Sequence, residues 1–299
     1  MNRLILWTSI LAASFAATSC ASEKRIKGNG NLVRKEIRVS DFDRIDIYGA
    51  SNVSFVQKAG KPRVEIYTSE NIVDLIEVKV SGNTLYLGKI KDDKNVEYDR
   101  LEFTVTAPDL EGARLSGAVN LKLENGLDTE EFTLDISGAG NIEGGNLTCS
   151  GKFLVDTSGA ADLDCNRVKC SDARIDLSGT SDIDIKELTC DCFSLDVSGA
   201  GNTNVKALSA NKVTVDVSGT GNVHLEGKTD RASYTVSGMG DIRADRLTAR
   251  DVVAQATGMS KVTCHSSGTL HTSTSGGGKV GYRGNPSLDT SASPVYKLD

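Results

Sequence analysis

The chain has 299 residues, with 34 Lys and Arg against 40 Asp and Glu, for a formal net charge of −6. This balance excludes the clustered basic surface on which nucleic-acid binding depends. Aromatic residues make up only 5% of the chain, which has 30 Gly and 4 Pro, so the composition favours many short strands joined by tight turns over amphipathic helices.

Residues 1–20 have the features of an export signal. Arg3 supplies a positive charge, an apolar stretch too short to span a bilayer runs to Ala17, and "ATSC" places small residues before Cys20. This arrangement resembles a bacterial lipoprotein signal, in which Cys20 carries the lipid; an ordinary secretory signal is the alternative. We therefore expect an exported protein, lipid-anchored to the outer membrane and facing the periplasm or the surface, with residues 21–31 as a flexible tether.

Residues 32–112 follow with a strand pattern of irregular spacing. "IDIYGASNVSF" around Gly49 and "VKVSGNTLYL" around Gly82 are degenerate copies of a motif that recurs later in the chain. A short helical turn is predicted within 70–75. These segments predict irregular N-terminal β coils that cover the open end of a solenoid, as such folds require.

Residues 113–285 contain a repeat whose marker is a small residue before Gly. The markers are spaced by 21, 21, 20, 20, 20, 19, 20 and 18 residues, a regularity that indicates one structural unit per repeat. They are Ser116, Ser137, Ser158, Ser178, Ser198, Ser218, Ser237, Thr257 and Ser275.

Apolar residues alternate with polar ones on both sides of each marker, as in half-buried strands. Each repeat has three short inward-facing segments, and stacked repeats can bury a continuous core. The prediction is an all-β protein, a single-stranded parallel β-helix of about 20 residues per coil, with 286–299 as a C-terminal cap or tail. The Gly after each marker is expected at a corner that needs either a positive φ or close backbone approach. Asn or Asp four residues after the marker is expected at a second bend, with stacked Asn side chains forming an amide ladder.

The cysteines after Cys20 fit the repeat. Cys149, Cys170 and Cys190 each lie twelve residues after a marker, and Cys165 and Cys264 share another inward position. We expect packed thiols; disulfides between coils are the alternative, since an exported chain can form them.

The lipoprotein-like start, "LSGAVN", the repeated "SGAGN" and "SGTGN" turns and the final "VGYRGNP" together resemble the family known as the putative autotransporter adhesin head GIN domain, a domain of unknown function. The resemblance extends from about Asp43 to Pro286. It implies a parallel β-helix similar in shape to pectin lyases and a role in cell-surface adhesion.

One outward-facing position of the repeat holds a candidate surface or ligand column. Three interpretations remain open: a solvated, solubilising face; a strip that binds Ca²⁺ through carboxylate and Ser oxygens; and carboxylates that catalyse polysaccharide cleavage. Catalytic groups usually differ from their neighbours and lie in a cleft, whereas this column is uniform. Its members are Asp135, Asp156, Asp176, Asp196 and Asp216.

The sequence thus predicts a non-catalytic β-helix, with no catalytic residues and no metal site, that functions in adhesion. The expected partners are the membrane, through the lipid on Cys20, and carbohydrate or an envelope or host surface protein. No cofactor is expected, unless the aspartates bind Ca²⁺. The alternatives are a polysaccharide lyase or hydrolase of pectin-lyase shape and a self-assembling structural spacer.

Overall fold

The computed structural model describes residues 25–290 and 295–299, so the predicted signal segment and Cys20 lie outside the described residues. These ranges form a parallel β-solenoid of about 9 turns with about 20 residues per coil and no α-helix, which confirms the predicted fold. The strands, in chain order, are β1 Ile26–Lys27, β2 Leu32–Arg38, β3 Arg44–Ile47, β4 Ala50–Gln57, β5 Arg63–Ser69, β6 Ile76–Ser81, β7 Thr84–Ile90, β8 Val96–Glu97, β9 Leu101–Ala107, β10 Gly112–Leu115, β11 Ala118–Leu123, β12 Leu127–Thr129, β13 Phe132–Ile136, β14 Ala139–Cys149, β15 Lys152–Thr157, β16 Ala160–Lys169, β17 Asp172–Leu177, β18 Thr180–Thr189, β19 Cys192–Val197, β20 Ala200–Val217, β21 Asn222–Val236, β22 Asp241–Gly258, β23 Lys261–Gly276, β24 Lys279–Arg283, β25 Ser287–Thr290 and β26 Val295–Lys297.

The N-terminal coils stack in an order that differs from their order in the chain. Strands β3 and β4 pair in parallel with β10 and β11 on one side, and with β7 and β9, which come later in sequence than β3 and β4, on the other. Strand β5 pairs antiparallel with both β2 and β9, and β6 forms an antiparallel hairpin with β7. The segment from β7 to β9 therefore lies outside the coil of β3 and β4 and covers the N-terminal end of the solenoid.

This order corrects one sequence interpretation. Gly82 is not a coil corner but belongs to the β6–β7 hairpin turn, where its φ is +59°. The corner of this coil is at Gly88, which stacks on Tyr48: a Cβ there would lie 2.3 Å from the backbone oxygen of Tyr48. The predicted helical turn is confirmed as a 3-10 helix at Val73–Leu75.

Both ends of the described chain contact neighbouring strands. Within the predicted tether, β1 forms a short parallel pair with β8. Within the predicted C-terminal cap or tail, β25 pairs with β23 and β26 pairs with β24. These segments thus continue the strand pairing past the regular repeats.

The core is one continuous column of apolar side chains along the solenoid axis. Phe132, Phe153 and Phe193 are fully buried, and the rings of Phe132 and Phe153 stack with centroids 6.4 Å apart. Ala173 lies in register between Phe153 and Phe193, so a small residue separates the two large rings. Burial of this kind along every coil is the main source of solenoid stability.

Close backbone contact explains the glycine of the repeat. A Cβ added to Gly179 would lie 1.8 Å from the carbonyl oxygen of Gly159. A Cβ added to Gly159 or Gly199 would likewise lie 1.9 Å from the carbonyl oxygen of the glycine at the preceding corner. Most of these corner glycines have φ values outside the left-handed region; the exceptions are Gly49, Gly88, Gly258 and Gly276. The sequence left two reasons for glycine at the corners, a positive φ or close backbone approach. Close backbone approach is the reason in most of the regular coils.

The Asn and Asp residues four positions after the marker behave differently from the prediction. Asp92 is the only non-glycine residue with positive φ in the described part of the chain, so this position does not need a left-handed backbone. The side chains stack between coils instead. Asn120 Nδ2 donates to Asn52 Oδ1 at 2.8 Å and Asn222 Nδ2 to Asn202 Oδ1 at 3.2 Å, which confirms an amide ladder at both places.

Every cysteine in the described ranges is a free thiol, as the packing prediction requires. Cys149, Cys170 and Cys190 are buried on successive coils, and Cys192 is exposed. Burial raises the pKa of the Cys149 and Cys165 thiols to about 12, so both remain protonated near neutral pH.

Candidate functional site

The five aspartates predicted from the repeat lie in a single column on successive coils. Strand register pairs Asp135 with Asp156, Asp156 with Asp176, Asp176 with Asp196, and Asp196 with Asp216. Their side chains point outward because the residues on either side of each aspartate are buried in the core. We call these five residues the aspartate column. Adjacent members are about 4.8 Å apart along the solenoid axis, the spacing of parallel strands.

Two arginines lie beside the column and offset part of its charge. Arg114 Nε donates to Asp135 Oδ2 at 3.0 Å, and Arg174 Nε donates to Asp176 Oδ2 at 2.8 Å. The hydrogen bond to Asp176 and the charge of that carboxylate raise the pKa of Arg174, and Asp196 and Asp156 add to the effect. At this spacing neighbouring exposed carboxylates repel each other by only about 1 kcal/mol per pair in water. The column is therefore a tolerable acidic stripe on the surface.

The same register position continues beyond the aspartates at both ends. Toward the N-terminal end the order is Asp135, Arg114, Asp46 and Tyr86. Sequence reasoning missed Asp46 and Tyr86 as part of this face, because their coils stack out of chain order. The sequence does contain a signal for Asp46. It stands two residues before Tyr48 and three before Gly49, the same spacing that separates each column aspartate from its marker and the following Gly. Toward the C-terminal end the column continues with Thr235, Gln255 and Ser273.

A second polar face follows the glycine corner. Register places Asp162 beside Asp182 and Asp164 beside Asp184. We call these four residues the acidic patch. On the next coil, Asn202 Nδ2 donates to Asp182 Oδ1 at 2.9 Å and Asn204 Nδ2 donates to Asp184 Oδ2 at 3.0 Å. The solenoid thus carries two acidic faces of similar charge, separated by the corner.

Two of the three histidines, His224 and His271, pair with acids on the surface. His224 Nε2 lies 2.7 Å from Glu226 Oε1, and His271 Nδ1 lies 3.0 Å from Asp289 Oδ2. The hydrogen bond from His224, together with Arg246, lowers the pKa of the Glu226 carboxyl. The partner of His224 lies two residues along the same strand, and the partner of His271 lies on the last coil.

Neither a metal centre nor a membrane-spanning helix is found in the part of the chain that the structure describes. There, no group of three or more His, Cys, Asp or Glu side chains is arranged to hold a metal ion. No helix in residues 25–290 and 295–299 is long and apolar enough to cross a bilayer.

Comparison with known proteins places this architecture among adhesin-like proteins. The model of the family described as "Putative auto-transporter adhesin, head GIN domain" matches residues 41–210 and 173–286. A solved structure of a putative adhesin from Parabacteroides merdae ATCC 43184 is similar, with 21% identity, a TM-score of 0.52, and 92% of this chain and 99% of that chain covered. A putative adhesin from Parabacteroides distasonis ATCC 8503 is equally similar, with 21% identity, a TM-score of 0.52, and 92% and 100% covered. At this identity the two structures support the fold alone. No curated protein matches the chain.

Proposed function

Because the chain belongs to the family of putative auto-transporter adhesins with a head GIN domain, we propose that it is a non-catalytic cell-envelope protein that binds carbohydrate or another envelope protein through one long face. The observation that carries this proposal is the uninterrupted aspartate column, which presents the same side chain on five successive coils. A repeated outward group suits a repeated ligand such as a polysaccharide, because each further sugar meets the same chemistry one coil along and the weak contacts add up.

The geometry gives less support to catalysis. Acid–base catalysis needs groups whose environments differ, so that one donates a proton while the other accepts one. The members of the aspartate column are alike, outward-facing and flanked by the same kinds of residue. We therefore propose that the column contributes to binding, and that the protein lacks lyase or hydrolase activity.

Two variants with equal charge removal test the face. The first replaces Asp156, Asp176, Asp196 and Asp216 with Asn; the second replaces the acidic patch, Asp162, Asp164, Asp182 and Asp184, with Asn. We expect the first variant to bind a glycan array or bacterial envelope fragments at least tenfold more weakly than the wild type. We expect the second, matched in charge and in number of substitutions, to bind like the wild type.

Each outcome of that comparison is decisive. Equal loss in both variants would mean that net charge alone governs binding and would overturn the assignment to the aspartate column. If the wild-type protein binds neither the glycans nor the envelope fragments, the adhesion proposal fails. Turnover of acidic polysaccharides that disappears in Asp176→Asn would instead establish the enzyme alternative.

A structural spacer is the second candidate, and one observation favours it. Strand β25 pairs with β23 on one side, and Leu288 at its centre is 46% exposed at the C-terminal end of the solenoid. An open strand edge with an exposed apolar residue is a site where solenoids can join end to end. Light scattering of the purified chain distinguishes the candidates, since a spacer forms oligomers that Leu288→Lys disperses, whereas a binding protein stays monomeric.

We also propose that Cys20 anchors the protein to the outer membrane by a lipid. One acyl chain holds a protein at a membrane only reversibly, and additional acyl chains make the attachment stable. In cells given labelled palmitate we expect label on the wild-type protein and its recovery in the membrane fraction. Cys20→Ala should remove the label and shift the protein from that fraction, and label retained by Cys20→Ala would contradict the assignment.

A further inference from the structure

An open pocket of about 180 Å³ lies at the N-terminal end of the face that carries the aspartate column. It forms where the coil of β7 stacks outside the coil of β3, so residues distant in sequence meet there. The polar and aromatic side chains in its lining include Arg44, Asp46, Thr84, Tyr86, Arg114 and Asp135. Unlike the repeats, this part of the face changes residue type from each coil to the next.

Asp46 is the unusual member of this set. Its side chain points to the outer face, since Ile45 and Ile47 are in the core, yet the residue is only 6% exposed. Its Oδ2 accepts a hydrogen bond from the Tyr48 hydroxyl at 3.0 Å. Its Oδ1 is buried and has no hydrogen-bond partner in the described ranges. Such an oxygen is costly unless a donor reaches it, so the pocket contains an acceptor that a ligand can satisfy.

The charges of the pocket favour a neutral ligand. Arg114 is held by Asp135 at 3.0 Å, and Arg44 Nη2 lies 3.5 Å from Glu131 Oε1. Both cations thus already have carboxylate partners. The formal charges of the two arginines and two aspartates in the lining sum to zero. An anionic ligand would have to compete with these carboxylates, and a cation with the arginines. A hydroxyl group can donate to Asp46 without displacing either pair.

Arg114 lies beside Asp46 and can contact a ligand bound there. The two residues are register neighbours, and the Arg114 side chain is 61% exposed. Its Nε donates to Asp135, and the other N–H groups of the guanidinium remain able to donate to a ligand oxygen. Tyr86 is the register neighbour of Asp46 on the other side and adds an aromatic ring to the lining, as is common in pockets for small molecules.

We propose that this pocket binds one neutral hexose unit of a glycan, with a sugar hydroxyl donating to Asp46 Oδ1, Arg114 donating to a sugar oxygen and the Tyr86 ring contacting the sugar. The inference rests on the proposed carbohydrate-binding function and names its ligand class. The pocket is non-repeating and lies at the N-terminal end of this face, so it fixes where a glycan begins, and the aspartate column receives the following units.

The test uses the full chain and free sugars. Glucose, galactose and mannose are the neutral probes, glucosamine the cationic probe and glucuronate the anionic probe, each followed by saturation-transfer difference NMR and titration. We expect at least one neutral hexose to bind, and to bind at least tenfold more weakly to Asp46→Asn and to Arg114→Gln. Asp162→Asn, at an exposed position in the acidic patch, is the matched control and should bind like the wild type.

Preferential binding of glucuronate or glucosamine, or no binding of any probe, would overturn the proposal. So would equal weakening in Asp162→Asn. If Asp46→Asn fails to fold, as judged by its circular dichroism, Arg114→Gln at its exposed position decides the question. A glycan array that retains binding when Asp46 or Arg114 is replaced would refute the hexose pocket and leave the adhesion proposal standing, so the two failures can be told apart.

Discussion

Gly179→Ala is expected to destabilise the protein by about 3 kcal/mol or more, at or above the upper end of the usual cost of overpacking. The new methyl group would lie 1.8 Å from the carbonyl oxygen of Gly159 and 2.8 Å from its carbonyl carbon. These are backbone atoms of the ladder, in which Thr180 N donates to Gly159 O at 3.0 Å, so they cannot move aside without loss of hydrogen bonds. Thermal unfolding followed by circular dichroism should show a Tm lower by roughly 6–12 °C, at about 2–4 °C per kcal/mol.

Gly140→Ala is the matched control for that substitution. The two atoms nearest to a Cβ at Gly140 belong to side chains: Ile142 Cδ1 would lie at 3.2 Å and Ile136 Cγ2 at 3.3 Å. The next two coils carry Ala161 and Ser181 at the same register position, so the fold already accommodates a Cβ there. We expect a change below about 1 kcal/mol. Equal effects of the two substitutions would show that the corner coils do not pack as closely as described.

Phe153→Ala is expected to cost about 3–5 kcal/mol, the usual range for removal of a buried aromatic ring. Phe153 is fully buried and stacks on Phe132, whereas its neighbour on the other side is Ala173. Ala173 has no atoms beyond Cβ that could fill the space, and the strand ladder prevents the coils from closing together. Denaturant unfolding followed by far-ultraviolet circular dichroism should show a lower midpoint.

Phe153→Leu keeps most of the apolar volume and is the control, with an expected cost of about 1 kcal/mol. A solenoid can unfold in more than one step, so the comparison should use the transition that includes the central coils. If the alanine variant is no less stable than the leucine variant, the stacked aromatic column is not packed as the structure has it.

The repeat explains why the central coils were predictable and the N-terminal coils were not. Between Ser116 and Ser275 each residue's neighbours are the equivalents about 20 positions away, so counting along the sequence locates both the core and the aspartate column. Gly82 was misread as a corner because a Ser-Gly step serves a hairpin as well as a coil. The pairing of β7 with β3 depends on the antiparallel strands around it, and no local pattern encodes that order.

Two further details depended on three-dimensional packing. Tyr234 occupies a core position of the repeat, and its ring is fully buried beside Ala254 on the next coil. Its hydroxyl has no partner in the described ranges, and burial raises the pKa of that hydroxyl. Sequence indicates an inward position but cannot indicate whether a buried hydroxyl finds a partner.

The sequence by itself determined the parallel solenoid, the length of its coils and the outward column of aspartates, because stacking identical repeats turns sequence spacing directly into spatial neighbours. Only the tertiary structure decided that the corner glycines serve close approach, that Asp46 and Tyr86 extend the aspartate face, and that Asp46 holds a buried, unpartnered oxygen in a pocket. These features arise where coils pack out of chain order or where backbones approach within contact distance, and such distances depend on the packed molecule as a whole.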